Sequence, residues 1–225
     1  MSKKKAVRPP QLSPSQRHSA DALSAEERAV QRAQIEAEQA QRRRQQGFEL
    51  LAEGARLLAQ NRPDEAAAHL ERAAALLPEN PDVAINLGGA YVLQRRYNKA
   101  VAVLERASLL APDNAMVWTN LAAAYLGSLQ LSGPQQQRKA IAAYEAALQA
   151  DPATPHVHYN LGLIHHDRQE HAQAEFWFRR ALEVDPNDRD AHRWLARLAA
   201  AAEADDAQPA PPADRADLSD EAERG

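Results

Sequence analysis

Small and apolar residues recur at a fixed period along the middle of the chain, and this pattern predicts pairs of helices. Within each period the apolar residues are three and four positions apart, which is the spacing of one helical face. Each period ends in a proline, and successive prolines are 34, 40 and 34 residues apart: Pro78, Pro112, Pro152 and Pro186. Alanines precede these prolines by twelve residues and by five: Ala66 and Ala73, Ala100 and Ala107, Ala140 and Ala147, Ala174 and Ala181. We therefore expect a stack of two-helix units, because one unit of this size cannot bury its apolar face alone.

Three short segments keep the same phase in successive periods: INLGGAY (85–91), TNLAAAY (119–125) and YNLGLIH (159–165). Together with the alanines and prolines, they resemble the tetratricopeptide repeat, which has Leu-Gly, Tyr, two alanines and a proline at these positions. The resemblance extends over about residues 47–188 and is weakest in the first period. It implies an all-α fold, a right-handed superhelical solenoid of four helix-turn-helix repeats in which Trp118, Tyr125 and Tyr144 are buried.

The ends of the chain have a different composition from the repeats. Residues 1–20 carry five basic residues and no acid, and residues 201–225 carry eight acids, two arginines and three prolines. Such segments do not bury a core, so both are expected to be disordered. Between the basic end and the first repeat, Ser24 and Glu27 form the pattern of a capping box, which predicts a helix that can run straight into repeat 1.

These observations divide the chain into eight segments. They are a basic disordered tail (1–23), an N-terminal helix (24–46), repeats 1 to 4 (47–80, 81–114, 115–154 and 155–188), a capping helix (189–200) and an acidic disordered tail (201–225).

Repeat 3 contains six additional residues between Tyr125 and Ala140. Ser132-Gly133-Pro134 supplies a turn there, so both helices of this repeat are expected to be about one turn longer than usual. Leu129 and Leu131 lie at this corner, where we expect them to pack on the neighbouring repeat rather than form a docking surface.

The resemblance also indicates where a ligand would bind. In tetratricopeptide repeats, ligand contacts come mainly from the first helix of each repeat, on the concave side of the array. One of these contact positions is an asparagine in three repeats: Asn86, Asn120 and Asn160, called the asparagine row below. A carboxamide both donates and accepts hydrogen bonds, so the row can hold the backbone of an extended peptide. This is similar to the asparagine ladder of the sugar-transferring arrays; alternatively, each carboxamide bonds only within the array.

Most other residues at the contact positions are uncharged. The predicted peptide contacts, besides the asparagine row, are Leu51, Ile85, Val92, Thr119, Leu126, Tyr159 and Leu163. A carboxylate clamp of the chaperone-binding type needs lysines and arginines, but its positions hold other residues: Phe48, Leu51, Asp82, Met116 and Asn120. The ligand is therefore expected to be a largely uncharged peptide segment.

Catalytic and metal sites are not indicated. The chain has no cysteine, which excludes disulfides and cysteine-based zinc sites. Histidines concentrate in repeat 4, but His158 and His165 are about 10 Å apart along a helix, too far to share one ion. No nucleophile with a base, phosphate-binding loop or carboxylate pair stands out, so we expect neither an enzyme nor a cofactor.

The net charge of −4 is distributed unevenly, with +5 in residues 1–20, −3 in 21–200 and −6 in 201–225. A repeat region without excess positive charge argues against nucleic-acid binding by the array itself. No apolar run is long enough for a membrane helix, and the expected location is the cytoplasm.

The favoured function is a non-catalytic adaptor or assembly factor that binds a protein or peptide client. Two alternatives stay open: a module that self-associates through residues 24–46 or the Leu129–Leu131 corner, and a nucleic-acid or ribosome-associated factor recruited by its basic N-terminal tail. The identity of the client and the oligomeric state do not follow from the sequence.

Overall fold

The computed structural model describes residues 14–206, with side chains from residue 25 to residue 204. All regular structure in this range is helical, which confirms the predicted all-α class. The helices are α1 (Pro14–Ala59), α2 (Pro63–Leu76), α3 (Pro81–Leu93), α4 (Tyr97–Leu110), α5 (Ala115–Leu126), α6 (Pro134–Ala150), α7 (Val157–Asp167), α8 (His171–Val184) and α9 (Arg189–Asp206), with a 3₁₀ turn at Leu129–Leu131. The predictions for residues 1–13 and 207–225 lie outside the described residues.

The described chain divides into two compact units between Ala90 and Tyr91, and neighbouring helices pack together within them. In the first unit α1 packs on α2. In the second unit α5 packs on α4 and α6, α7 packs on α6 and α8, and α9 packs on α8. The first helices of repeats 3 and 4 therefore lie against helices on both sides, as expected for a stacked array.

The alanines that define the period form the tightest part of the core. Seven of the eight are completely buried and Ala181 is 7 % exposed. Glycine extends the same close approach, since a Cβ on Gly54 would lie 2.5 Å from a Leu70 carbon and one on Gly162 would lie 2.6 Å from a Phe178 carbon. Small residues are required at these positions because large side chains from the facing helix fill the space.

A second buried row was not recognised in the sequence. It consists of Val83, Val117, Val157 and Ala191, each at most 1 % exposed, on the first helices of repeats 2 to 4 and on α9. These residues recur with the same spacing of 34, 40 and 34 positions, so the period itself contained the signal.

The aromatic core positions behave differently from the prediction. Tyr144 is buried as expected, but Trp118 and Tyr125 are only half-buried. Trp118 donates from Nε1 to the carbonyl of Pro112 at 2.6 Å, and Tyr125 donates from its hydroxyl to Glu105 at 2.7 Å. An amphipathic ring keeps its polar atom at the surface while its carbon face packs inward, which explains the incomplete burial.

The N-terminal helix is longer than predicted. It begins at Pro14 and continues without a break to Ala59, so Ser24 lies inside the helix and does not cap it, and residues 14–20 are helical rather than disordered. Proline suits the first helical position because its missing N–H has no partner there. No glycine or second proline interrupts the following residues until Gly47, and the helix continues through that position, where a Cβ would lie 2.6 Å from a Leu77 carbon.

The last helix also exceeds its prediction. It ends at Asp206 rather than at residue 200 and takes in the first residues of the predicted acidic tail. The run Ala199–Ala202 has high helix propensity, and the next helix breaker is Pro209.

The insertion in repeat 3 lengthens only one of its helices. The second helix, α6, has 17 residues against 14 in α2, α4 and α8, whereas α5 has only 12. The first helix ends because Gly127 adopts φ 59°, a left-handed conformation that glycine accepts easily. The 3₁₀ turn lies against α7, with Leu129 half-buried, but Leu131 is 87 % exposed and does not pack as predicted.

Candidate functional site

The three carboxamides of the asparagine row lie on first helices of successive repeats and are all half-buried. In the first unit, Asn86 on α3 donates from Nδ2 to the carbonyl of Asp82 at 2.8 Å. That bond uses one of its two N–H groups, and its Oδ1 atom accepts no bond within the described part of the chain. A carboxamide offers two donors and two acceptor lone pairs, so Asn86 retains capacity for a ligand.

Asn160 has a structural partner that sequence reasoning did not identify. Its side chain on α7 hydrogen-bonds the hydroxyl of Tyr144 on α6, across the boundary between repeats 3 and 4. Burial raises the pKa of Tyr144 to about 12, and the bond to Asn160 offsets that rise only in part. Tyr144 is therefore neutral over the physiological range, and Asn160 is oriented by the preceding repeat.

The other predicted contacts differ in how much surface they offer. Leu51, Val92, Thr119, Leu126, Tyr159 and Leu163 are half-buried, so each exposes part of its side chain. Ile85 is the exception, because it is only 7 % exposed and leaves little surface for a ligand. The hydroxyl of Thr119 donates to the carbonyl of Ala115 at 2.9 Å, so a ligand would meet mainly its methyl group and oxygen lone pairs.

Trp194 of α9 closes the end of repeat 4. Its Nε1 donates to the hydroxyl oxygen of Tyr159 at 3.3 Å, and its ring lies 4.5 Å from that of His166 and 5.8 Å from that of Phe178. The Arg197 guanidinium lies 5.2 Å above the centre of the Trp194 ring. The predicted contact Tyr159 is thus held from one side by the capping helix.

Among the histidines of repeat 4, the rings of His166 and His171 lie 5.7 Å apart, and the others have different neighbours. His165 pairs through Nδ1 with Glu170 at 2.6 Å, whereas His158 lies beside Trp177 and His166 lies beside Trp194. Burial lowers the pKa of His158. Among the residues whose side chains are described, no three of His, Cys, Asp or Glu are grouped as metal ligands.

Glu170 is held in its ionised form by two neighbours. Hydrogen bonds from Arg168 and, to a smaller extent, from His165 lower the pKa of Glu170 to about 2. These contacts fix the turn between α7 and α8, next to Gln169.

The comparisons with known proteins agree with the repeat geometry. Two tetratricopeptide repeat families match the sequence, one over residues 57–125 and the other over residues 136–188. The chain belongs to the tetratricopeptide repeat family. No curated protein matches it.

Several solved structures share the fold of this tetratricopeptide repeat (TPR) protein. MamA residues 41 to the end from Desulfovibrio magneticus RS-1 is 22 % identical, with a TM-score of 0.60 over 70 % of this chain and 86 % of that one. TTC0263, a thermophilic TPR protein in Thermus thermophilus, is 21 % identical, with a TM-score of 0.59 over 69 % and 82 %. The Cut9–Hcn1 assembly of APC/C is 21 % identical, with a TM-score of 0.61 over 68 % of this chain and 30 % of that one.

Family membership establishes the general role of the molecule. Tetratricopeptide repeats are protein–protein interaction modules, and proteins built from them are generally non-catalytic scaffolds. Among the described residues, no helix combines the length and apolar character needed to cross a membrane.

Proposed function

We propose that this TPR protein is an adaptor or assembly factor that binds an extended, largely uncharged peptide segment through the asparagine row. The observation that carries the proposal is the free hydrogen-bonding capacity of Asn86, whose Oδ1 atom has no partner in the described structure. Asn120 and Asn160 occupy the same position on α5 and α7 of the second unit and are half-buried in the same way.

Partial burial favours binding at these carboxamides. A carboxamide partly shielded from water competes less with solvent for its hydrogen bonds than a fully exposed one, so a peptide amide gains more by pairing with it. Each such bond contributes about 1 kcal/mol. The three carboxamides would read the main chain of the ligand and would tolerate variation in its side chains.

The surfaces beside the row supply apolar contact. In the second unit, Leu126 and Leu163 are half-buried one or two turns beyond the asparagines of α5 and α7, and Val92 is half-buried near the end of α3. The exposed parts of these side chains suit the apolar or uncharged side chains of a ligand.

A peptide selected from a random phage-displayed library supplies a ligand for the test. Its affinity should fall about a hundredfold when Asn86, Asn120 and Asn160 are all replaced by alanine, since about 3 kcal/mol of hydrogen bonding is lost. Asn98→Ala, an exposed asparagine on α4, is the matched control and should leave the affinity unchanged. Backbone N-methylation of the peptide should weaken binding more than side-chain changes do. Unaltered affinity in a folded triple variant would exclude the asparagine row as the binding site.

One observation favours self-association as a second candidate function. All side chains of α1 from residue 25 to residue 46 are exposed, although a helix of this length is rarely left without a packing partner. Light scattering over a range of protein concentrations tests it, since a molecular mass that stays monomeric at every concentration would exclude this candidate.

A further inference from the structure

A cavity of about 560 Å³ opens in the first unit, where α1 passes the end of α2 and the start of α3. Its apolar wall consists of Phe48 from α1, Leu76 from α2, and Leu77 and Pro78 from the connecting loop. The ring of Phe48 is 42 % exposed, while both leucines are half-buried. This volume is within the range of ligand sites and accommodates one or two large apolar side chains.

The apolar wall of the cavity is accessible because Phe48 is exposed and the two leucines are only partly covered. Exposed apolar surface of this kind, lined by polar residues, often marks an interaction site.

The rim of the cavity is cationic. Arg43 and Arg44 line it, and neither forms an ion pair with any residue whose side chain is described. Arg44 instead lies over the Phe48 ring, 5.8 Å from its centre. One acid, Glu79, also lines the cavity, so the two arginines leave a net positive charge around the apolar wall.

We infer that this cavity, called the Phe48 cavity, binds a segment of a partner protein that carries a leucine or phenylalanine beside aspartate or glutamate. The apolar side chain would enter between Phe48 and the two leucines. The neighbouring carboxylate would pair with Arg43 and Arg44, whose planar guanidinium groups match a carboxylate with two parallel hydrogen bonds. The residues of this site are different from those of the asparagine row. It binds an acidic segment, whereas the asparagine row is proposed to bind an uncharged one.

The inference is tested with synthetic peptides on the full-length protein. The probe is a fluorescein-labelled peptide that repeats the triplet Asp-Asp-Leu, and binding is followed by fluorescence anisotropy. One control peptide replaces the aspartates with asparagines, and the other replaces the leucines with serines. Both controls should bind at least about tenfold more weakly, because each lacks one of the two contacts.

Protein variants locate the peptide. Phe48→Ala and the double variant Arg43→Gln with Arg44→Gln should each weaken binding of the Asp-Asp-Leu peptide about tenfold or more, and only the arginine variant should reduce its salt dependence. Arg42→Gln is the matched control, since Arg42 is adjacent in sequence, 83 % exposed and outside the cavity. Circular dichroism confirms that each variant is folded.

Several results would overturn the inference. They are equal binding of either control peptide, equal binding to the Phe48 or double arginine variant, absence of binding to the native protein, and displacement of the peptide by single-stranded RNA at lower concentration than by the unlabelled peptide. A dimer that dissociates in Phe48→Ala would also overturn it, because a second copy would then cover the cavity. None of these results bears on the asparagine row, which is tested with different variants and a different peptide.

Discussion

The rings of Trp194 and Phe178 are stacked in parallel, with their planes 1° apart and their centres separated by 5.8 Å. The two residues belong to α9 and α8, so this contact fastens the terminal helix to the last repeat. Phe178 is completely buried and Trp194 is half-buried. Trp194 therefore joins the completely buried Ala191 in holding the capping helix on repeat 4.

Replacing Trp194 with alanine should lower the free energy of unfolding by about 2–3 kcal/mol, somewhat less than for a fully buried tryptophan. The loss should be concentrated in α9, where hydrogen exchange will accelerate first, because the other helices keep their own contacts. Arg193→Ala, on the exposed side of α9, is the control and should change stability by less than about 0.5 kcal/mol. Uniform acceleration across α5 to α9 would contradict this local role.

The period predicted the repeats well because equivalent positions of successive repeats are buried in a stacked array. Ala100 and Leu104, for example, are both completely buried on one face of α4. Helix ends were predicted less well. The sequence around Ser24 has the pattern of a helix start, yet the residues before it also have helical propensity and nothing there breaks the helix.

Contacts between repeats could not be predicted from the sequence. Asn160 and Tyr144 each occupy a recurring position of the repeat. The period does not show that the side chains at these two positions form a hydrogen bond. The Phe48 cavity was missed for a related reason. The sequence shows that Phe48 does not fit a carboxylate clamp, whereas the exposure of its side chain depends on what packs against α1.

Gly162 should not tolerate alanine. A Cβ there would lie 2.6 and 2.7 Å from two ring carbons of Phe178, which is closer than such atoms approach in folded proteins. We expect Gly162→Ala to lower the free energy of unfolding by about 1–3 kcal/mol, measured by urea denaturation. Gly133→Ala is the control, because the new Cβ would meet only the flexible end of Gln136. Equal stabilities of the two variants would show that α7 and α8 are less closely packed than described.

Gln169→Gly should stabilise the protein. Gln169 has φ 62°, and a left-handed conformation is unfavourable for a residue with a Cβ. Glycine removes this cost, but it also raises the conformational entropy of the unfolded chain, which opposes folding. The free energy of unfolding is therefore expected to rise by about 0.5–1 kcal/mol, seen as a higher thermal midpoint. Gln173→Gly, an exposed position in α8, should instead destabilise by about 1 kcal/mol. A lower midpoint for Gln169→Gly would contradict the prediction.

Acidification should weaken the turn between α7 and α8. The pKa of Glu170 is about 2 in the folded protein against 4.5 for the free side chain, because Arg168 and His165 bond its carboxylate. A carboxyl with a lowered pKa stabilises the fold above pH 4.5. This contribution to stability is lost as the pH falls from 4.5 towards about 2. The difference in thermal midpoint between the native protein and Glu170→Gln should therefore shrink over that interval. Arg168→Gln should reduce the difference at neutral pH, and a difference independent of pH would contradict the assignment.

Asn160 combines a structural bond with a proposed binding role, and two substitutions separate them. Tyr144→Phe removes the hydroxyl that Asn160 bonds, so it should lower the free energy of unfolding by about 1–2 kcal/mol while Asn160 stays available to a peptide. Asn160→Ala should cost a similar amount of stability and also weaken binding of the selected peptide about fivefold. In the double variant the two stability losses should not add, because both substitutions remove the same hydrogen bond. If Tyr144→Phe weakens binding of the selected peptide as much as Asn160→Ala does, Asn160 acts only through the packing of repeats 3 and 4. It then makes no bond to the ligand.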